Sequence, residues 1–212
     1  NYIRKDKASG GELYLCLRRK GRRYRYCKKE VKVVISGKKS IEIRALRKEL
    51  LKQFGHWEID TIFGKDQKSF LLTLVEMRTK YVIIRKIPNK EAATVRAEIA
   101  KIIAETGIII KTITSDNGGE FAEHAALSET YGFDWYFCHP FCSGERGLNE
   151  NTNGLIRDFL PKRTDFNLVS DKEIQDIQKN LNTRPRKTLK FKRPVYLSVE
   201  EFAQEIGRAS CR

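Results

Sequence analysis

The sequence predicts an α/β fold: a mixed five-stranded sheet, three antiparallel strands followed by parallel ones, covered by helices. Two observations carry this. Three apolar runs of strand length follow one another across short connections, and later apolar runs alternate with segments of helical period. A third sets the scale: 212 residues, 40% hydrophobic and 10% aromatic, suffice for one core of ordinary size.

Trp57–Phe63, Phe70–Val75 and Tyr81–Pro88 read as the three opening strands. Their connections, GKDQKS and MRTK, are short enough for an antiparallel meander. Asn89 is the expected N-cap of a helix over Lys90–Thr106, where Ala, Val and Ile recur at helical spacing. Ile108–Ser115 is a β-branched strand that ends at Asp116-Asn117-Gly118-Gly119. Glu120–Tyr131 is a short helix stopped by Gly132, Trp135–Cys138 a fifth strand, and His139–Gly147 a loop. Helices follow over Asn149–Phe159 and Asp171–Leu181. Ahead of the sheet, residues 1–55 read as an arm punctuated by Gly10, Gly11, Gly21 and Gly37, with a linking helix over Ile41–Phe54. Gly207–Arg212 breaks the helical pattern after Ile206 and is expected to be a truncated or foreign junction.

Composition excludes several classes. The absence of an apolar run of membrane length or a signal-peptide pattern argues against membrane and secreted proteins. Five cysteines without framework spacing point to a reducing, cytoplasmic compartment. Lys and Arg number 42 against 27 Asp and Glu, a formal charge of +15, which implies a polyanionic partner. The excess is uneven: residues 1–55 carry net +13, residues 56–150 net −3 and residues 151–212 net +5. In Leu17–Lys32, Arg18, Arg19, Lys20, Arg22, Arg23 and Arg25 alternate with Tyr24 and Tyr26. Guanidinium and ammonium groups beside stacking rings suit phosphate and base contacts, so this segment reads as a nucleic-acid arm.

Three acids stand out in the acidic middle. Asp60 lies inside the apolar strand WEIDTIF, Asp116 at the end of the strand TITSD, and Glu150 at the start of a helix in LNENTNGLI. Singly, Asp116 is a turn former and Glu150 a complement to the helix dipole. Asp60 is the costly one, because an ionised carboxylate among apolar neighbours needs a cation against it. Oxygen donors from two strands and one helix suit Mg²⁺, and a pair of such ions suits in-line phosphoryl displacement.

At these residues the chain resembles the DDE transposases and retroviral integrases, and most closely the insertion-sequence-thirty family of bacterial transposases. The matching pieces are GHWEIDTI, LVEMRTKY, SDNGGEF, HPFCSGERGLNENTNGLIR and LNTRPRKTLKFK, together with the basic LRRKGRRYR upstream. Thirty-three residues separate Asp116 from Glu150, and the resemblance runs from about residue 12 to about residue 206. It implies a ribonuclease-H-like, integrase-type core over residues 56–206, with Asp60, Asp116 and Glu150 holding two Mg²⁺ or Mn²⁺ ions. It also implies metal-dependent cleavage at transposon ends and strand transfer into target DNA. The partners implied are double-stranded DNA, both inverted repeats and target, and further copies of the chain in a homodimer or larger multimer, with no membrane and no nucleotide cofactor. Nucleoid association in a bacterial cytoplasm follows. Two departures touch no ligand: Leu148 stands where Thr is commoner, and Arg163 where Gly is usual. The upstream helix-turn-helix of family members is missing, so the chain reads as a catalytic-core fragment.

The motifs supply further candidates. Arg146, Asn149, Asn153, Arg157, Arg184, Arg186 and Lys187 are expected at DNA. Strand alternation puts Glu58 on the face of Asp60, which makes it an auxiliary candidate together with His139. A zinc reading of Cys138, His139 and Cys142 fails for want of a fourth ligand. Two other functions compete: a DNA-binding remnant without catalysis, and a ribonuclease-H-type nuclease on RNA–DNA hybrids. The intact carboxylates argue against the first and the basic arms against the second.

Overall fold

The computed structural model describes residues 2–16, 35–44, 49, 52–140 and 142–210. It divides into two compact units, Asn1–Lys32 and Val33–Arg212. In the first, helix α1 (Tyr2–Ala8) is followed by a 3₁₀ turn, Leu13–Cys16. Lys7 lies 4.1 Å over the ring of Tyr14, a cation–π contact within this unit. The basic run Arg18–Arg25 lies outside the described residues.

The second unit is a six-stranded mixed sheet in the order β1-β6-β5-β2-β3-β4. Its strands are β1 (Lys39–Ser40), β2 (His56–Phe63), β3 (Phe70–Glu76), β4 (Val82–Ile87), β5 (Thr112–Ser115) and β6 (Asp134–Phe137). β2, β3 and β4 form the expected antiparallel meander, whereas β2, β5, β6 and β1 pair in parallel. The sixth strand is the correction to the expected five. β1 has two residues in a basic, Gly-punctuated stretch, too few to leave an alternating pattern. It pairs with β6, and nearby Ile35 is buried in the core, so residues 35–40 belong with the sheet.

Side-chain alternation gives the sheet two apolar faces. On one, Trp57, Ile59, Leu72, Leu74, Ile113 and Trp135 are buried under helix α2 (Ala92–Thr106) and helix α3 (His124–Tyr131). The inward residues of α2, Val95, Ile99 and Ile102, keep helical spacing. Gly107 ends α2 in the left-handed region and returns its N–H to Ile103 O. The N-cap is Glu91 rather than Asn89, whose side chain instead accepts from Glu91 N at 3.1 Å.

On the other face, Ile62, Leu71, Val75, Val82 and Ile84 meet helix α4 (Gly147–Phe159) and helix α5 (Asp171–Thr183). A Ser170–Glu173 capping box starts α5. Asn182 of α5 receives the N–H of Val82 and donates to its C=O, both at 2.8 Å, while Gln178 accepts from Ile84 N at 2.7 Å. These amides occupy the free backbone edge of β4, which an exposed edge strand leaves open to mispairing.

Some bounds differ from expectation. β5 begins at Thr112, because Ile108–Ile110 pack on the core without joining the ladder. The expected Glu120 helix is a 3₁₀ turn, Gly119–Phe121, followed by α3. The expected His139–Gly147 loop contains a second such turn, Ser143–Arg146. Of the expected linking helix, Ile41–Ile43 is a 3₁₀ turn capped by Ser40, and residues 45–48, 50 and 51 lie outside the described residues. Beyond the last expected helix comes α6 (Pro194–Ser210), which runs through Gly207 where a break was expected. One glycine costs a helix interior only about 1 kcal/mol.

Candidate active site

β2 is central, with β5 on one side and β3 on the other. Its parallel register with β5 pairs Glu58 with Thr114. Continued two residues, that register sets Asp116 level with Asp60. The sheet therefore brings the two aspartates together just beyond the C-terminal end of β5, where open α/β sheets gather their ligands.

One guanidinium joins them. Nη1 of Arg146 lies 3.2 Å from Oδ1 of Asp60, and Nη2 lies 3.0 Å from Oδ2 of Asp116. Arg146 is the last residue of the Ser143–Arg146 turn and directly precedes α4. Burial pushes the Asp60 carboxyl above its usual range, Arg146 opposes this, and the charge of Asp116 adds to it. Burial also works against the Arg146 charge, but Asp60 and Asp116 outweigh it and raise the guanidinium further.

The two carboxylates are also held from three elements. Thr61 N donates to Oδ1 of Asp60 at 2.9 Å, and Asn153 Nδ2 donates to Oδ2 at 2.8 Å. Gly118 N donates to Oδ1 of Asp116 at 2.9 Å. A side chain at Gly118 would put its Cβ 2.3 Å from Oε2 of Glu120 and 2.9 Å from Oδ1 of Asp116, so it would displace these carboxylates. Glu120 is itself buried, accepting from Thr61 Oγ1 at 2.9 Å and pairing with Lys90 at 2.7 Å.

Comparison with known proteins places the chain in a family. Residues 51–142 match the integrase core domain family. A transposase for insertion sequence element IS4351 of Bacteroides fragilis is 43% identical over 99% of this chain and 64% of its own length. Transposase InsI for insertion sequence element IS30C of Escherichia coli K12 is 38% identical over 68% of this chain and 37% of its own length. The chain carries an integrase core of the kind found in insertion-sequence transposases. It spans about two thirds or less of the length of these relatives. Among solved structures, the catalytic core domain of BIV integrase superposes with a TM-score of 0.57 at 19% identity, covering 71% of this chain and 97% of its own. A simian T-cell lymphotropic virus intasome in complex with PP2A regulatory subunit B56 gamma gives 0.51 at 20%, covering 61% of this chain and 49% of its own. At such identities the likeness concerns the fold, which is ribonuclease-H-like.

Within the integrase core, the expected third carboxylate stands apart from the aspartate pair. Glu150 lies on the exposed side of the first turn of α4. Among the described residues no three His, Cys, Asp or Glu side chains gather as a metal cluster. Glu150 is, however, an i−3 neighbour of Asn153, which touches Asp60, so it belongs to the helix surface next to the pair. Glu58 is fully buried on the same strand face as Asp60 and accepts the backbone N–H of Asn149 at 3.0 Å.

The integrase core assigns several expected DNA contacts differently. Asn149 is buried, and its side-chain amide has no hydrogen-bond partner among the described residues. Capping spacing in NENTN does not distinguish an inward Asn from an outward one. Arg157 is spent on the end of α4, donating to Phe63 O at 2.5 Å and stacking over Phe166 at 5.5 Å. Arg146 faces the two aspartates. Arg184 and Lys187 are exposed, and half-buried Arg186 donates to Leu181 O at 3.2 Å. Arg186 also lines, with Lys80, Asn151 and Thr188, a cleft of about 240 Å³ beside the start of α4. His139 is not at the aspartates: Glu145 holds one ring nitrogen at 2.8 Å and Glu42 the other at 3.0 Å. Those hydrogen bonds, Glu145 first, raise its pKa. Burial pushes the Cys138 thiol up to about 12, as befits a core residue. The residues missed in the sequence are Glu120 and Lys90; Glu120 sat in SDNGGEF, but only the fold turns it inward.

Proposed function

We propose that this chain is the catalytic part of a transposase, cutting DNA strands at transposon ends and joining them to target DNA. The observation that carries this is the aspartate pair: two carboxylates from adjacent parallel strands already share one cationic group at 3.0 and 3.2 Å. A donor set that accommodates a guanidinium between hard oxygen ligands suits a divalent cation. Asp60, Asp116 and Glu150 are in this reading the ligands of two Mg²⁺ or Mn²⁺ ions. Bound there, such ions supply acidified water and neutralise the charge that develops on the transferring phosphoryl group.

The protein's own residues then have separable tasks. Asn153 fixes the orientation of Asp60, and the Gly118 N–H that of Asp116. Glu150 turns from the exposed helix surface toward the pair. Arg184, Arg186 and Lys187, with the basic run Arg18–Arg25, hold the duplex by its phosphates. Inverted-repeat and target DNA are the substrates, and two or more copies of the chain act together on them within the nucleoid. Among the described residues no helix is long and apolar enough to cross a membrane.

The test is cleavage and strand transfer on labelled duplex DNA with Mg²⁺ or Mn²⁺, comparing the wild type with Asp60→Asn and Glu150→Gln. Metal-dependent products lost in both variants support the reading. Products retained in both overturn the ligand assignment.

A further inference from the structure

The guanidinium of Arg146 lies against one carboxylate oxygen of each aspartate. Oδ1 of Asp60 and Oδ2 of Asp116 face it, whereas Oδ2 of Asp60 is held by Asn153 and Oδ1 of Asp116 by the Gly118 N–H. Its side chain is only 16% exposed, so there is little solvent to dilute a second charge. One guanidinium leaves the two carboxylates at net −1, and a divalent ion would balance them. Both cations together would place three positive charges against the two aspartates, at a site where the Asp60 side chain is 20% and that of Asp116 39% exposed, which favours exchange over coexistence. Gly144 lies within the turn that carries Arg146 and Gly147 directly after it, and a Cβ built on either meets nothing within 4 Å, so the backbone on both sides of Arg146 is uncrowded.

We propose that Arg146 competes with the divalent cation for Asp60 and Asp116: it holds the two carboxylates together in the metal-free protein and withdraws as the metal enters. Arg146 is thus a positioning residue, acting through the aspartates. The inference rests on the metal reading above, and its test does not depend on catalysis.

Mn²⁺ uptake by the DNA-free chain, followed by the loss of the free-ion electron paramagnetic resonance signal, measures the competition. Arg146→Ala is expected to bind Mn²⁺ about tenfold more tightly than the wild type, and Arg146→Lys to fall between them. Melting in EDTA is expected to put the alanine variant below the wild type, because its aspartates then repel without a counter-charge. Saturating Mn²⁺ should close or reverse that gap. A purely structural arginine would give weaker uptake on removal. Equal or weaker Mn²⁺ affinity in a folded Arg146→Ala, with wild-type uptake intact and lost in Asp60→Asn, overturns the competition alone. No uptake by any form, Arg146→Ala included, removes the metal reading and the competition with it.

Discussion

Asn153 donates its amide to Oδ2 of Asp60 at 2.8 Å, which anchors α4 to the central strand at the carboxylate itself. Thr73 Oγ1 lies 3.2 Å from Oδ1 of Asn153 and 3.2 Å from the backbone oxygen of Asp60, so the amide's orientation follows from its neighbours. One turn earlier, the backbone N–H of Asn149 is held by Glu58. Two acids on one face of β2 thereby set the register of the helix that carries Glu150.

Asn153→Ala removes that anchor. A hydrogen bond to a charged group contributes about 1.5–3 kcal/mol, so metal-dependent DNA cleavage is expected to fall about 10- to 100-fold. Asn153→Asp should fall further, since it sets a second negative charge against Asp60. Turnover on one labelled duplex at saturating metal reads the effect. An alanine variant within twofold of the wild type would deny Asn153 its positioning part.

The edge of the sheet gives a prediction about stability alone. Asn182→Leu keeps the volume but strips both hydrogen bonds from Val82. The unpaired backbone groups should cost about 2–3 kcal/mol in urea unfolding, and the Val82 amide should lose hydrogen-exchange protection. Unchanged protection would mean that water serves the edge equally well.

Much of this was legible in the sequence because it rests on periodicity. The β2–β4 meander and α2 announce themselves by apolar spacing, and Asp60 by its cost in an apolar strand. What stayed hidden depends on contacts between distant segments. Arg146 and Arg157 look alike in ERGLNENTNGLIR, yet one faces carboxylates and the other caps a helix on backbone carbonyls. In LNTRP the inward Asn182 and the exposed Arg184 are two positions apart, and only the packing of α5 on β4 separates the buried position from the exposed one.

His56 predicts a pH dependence. It is buried at the start of β2 beside Thr112, and burial, helped by the charges of Lys111 and Arg44, lowers its pKa from 6.5 to about 4. The unfolded chain therefore holds more protons than the folded one between these values. A penalty absent above about pH 6.5 grows as pH falls and is complete below about pH 4, where it reaches about 3 kcal/mol. His56→Gln should flatten the stability profile between pH 4.5 and 7 relative to the wild type. Parallel profiles would show that His56 does not titrate in this window.

DNA affinity should separate the basic side chains. Lys187→Ala, at an exposed position, is expected to weaken duplex binding uniformly across sequences and to lower the salt slope by about 1. Arg157→Ala should leave the slope unchanged and lower the melting temperature, because its guanidinium is committed to Phe63 O and the ring of Phe166. A slope that drops in Arg157→Ala would place that side chain at phosphate.

Arg163 occupies a backbone position that favours glycine. Its φ is +76°, in the left-handed region that costs an ordinary side chain about 1–2 kcal/mol. The strain falls between α4 and α5, where Thr164 O receives the N–H of Lys65 at 2.8 Å and fixes the loop to the start of the β2–β3 connection. Replacing Arg163 by glycine relieves the strain and loosens the unfolded chain, two effects of opposite sign. The relief is the larger, so Arg163→Gly is expected to gain about 0.5–1 kcal/mol in urea unfolding. Arg163→Ala, which sheds the charge but keeps the Cβ, should gain nothing. Equal gains in both variants would trace the effect to charge instead of backbone.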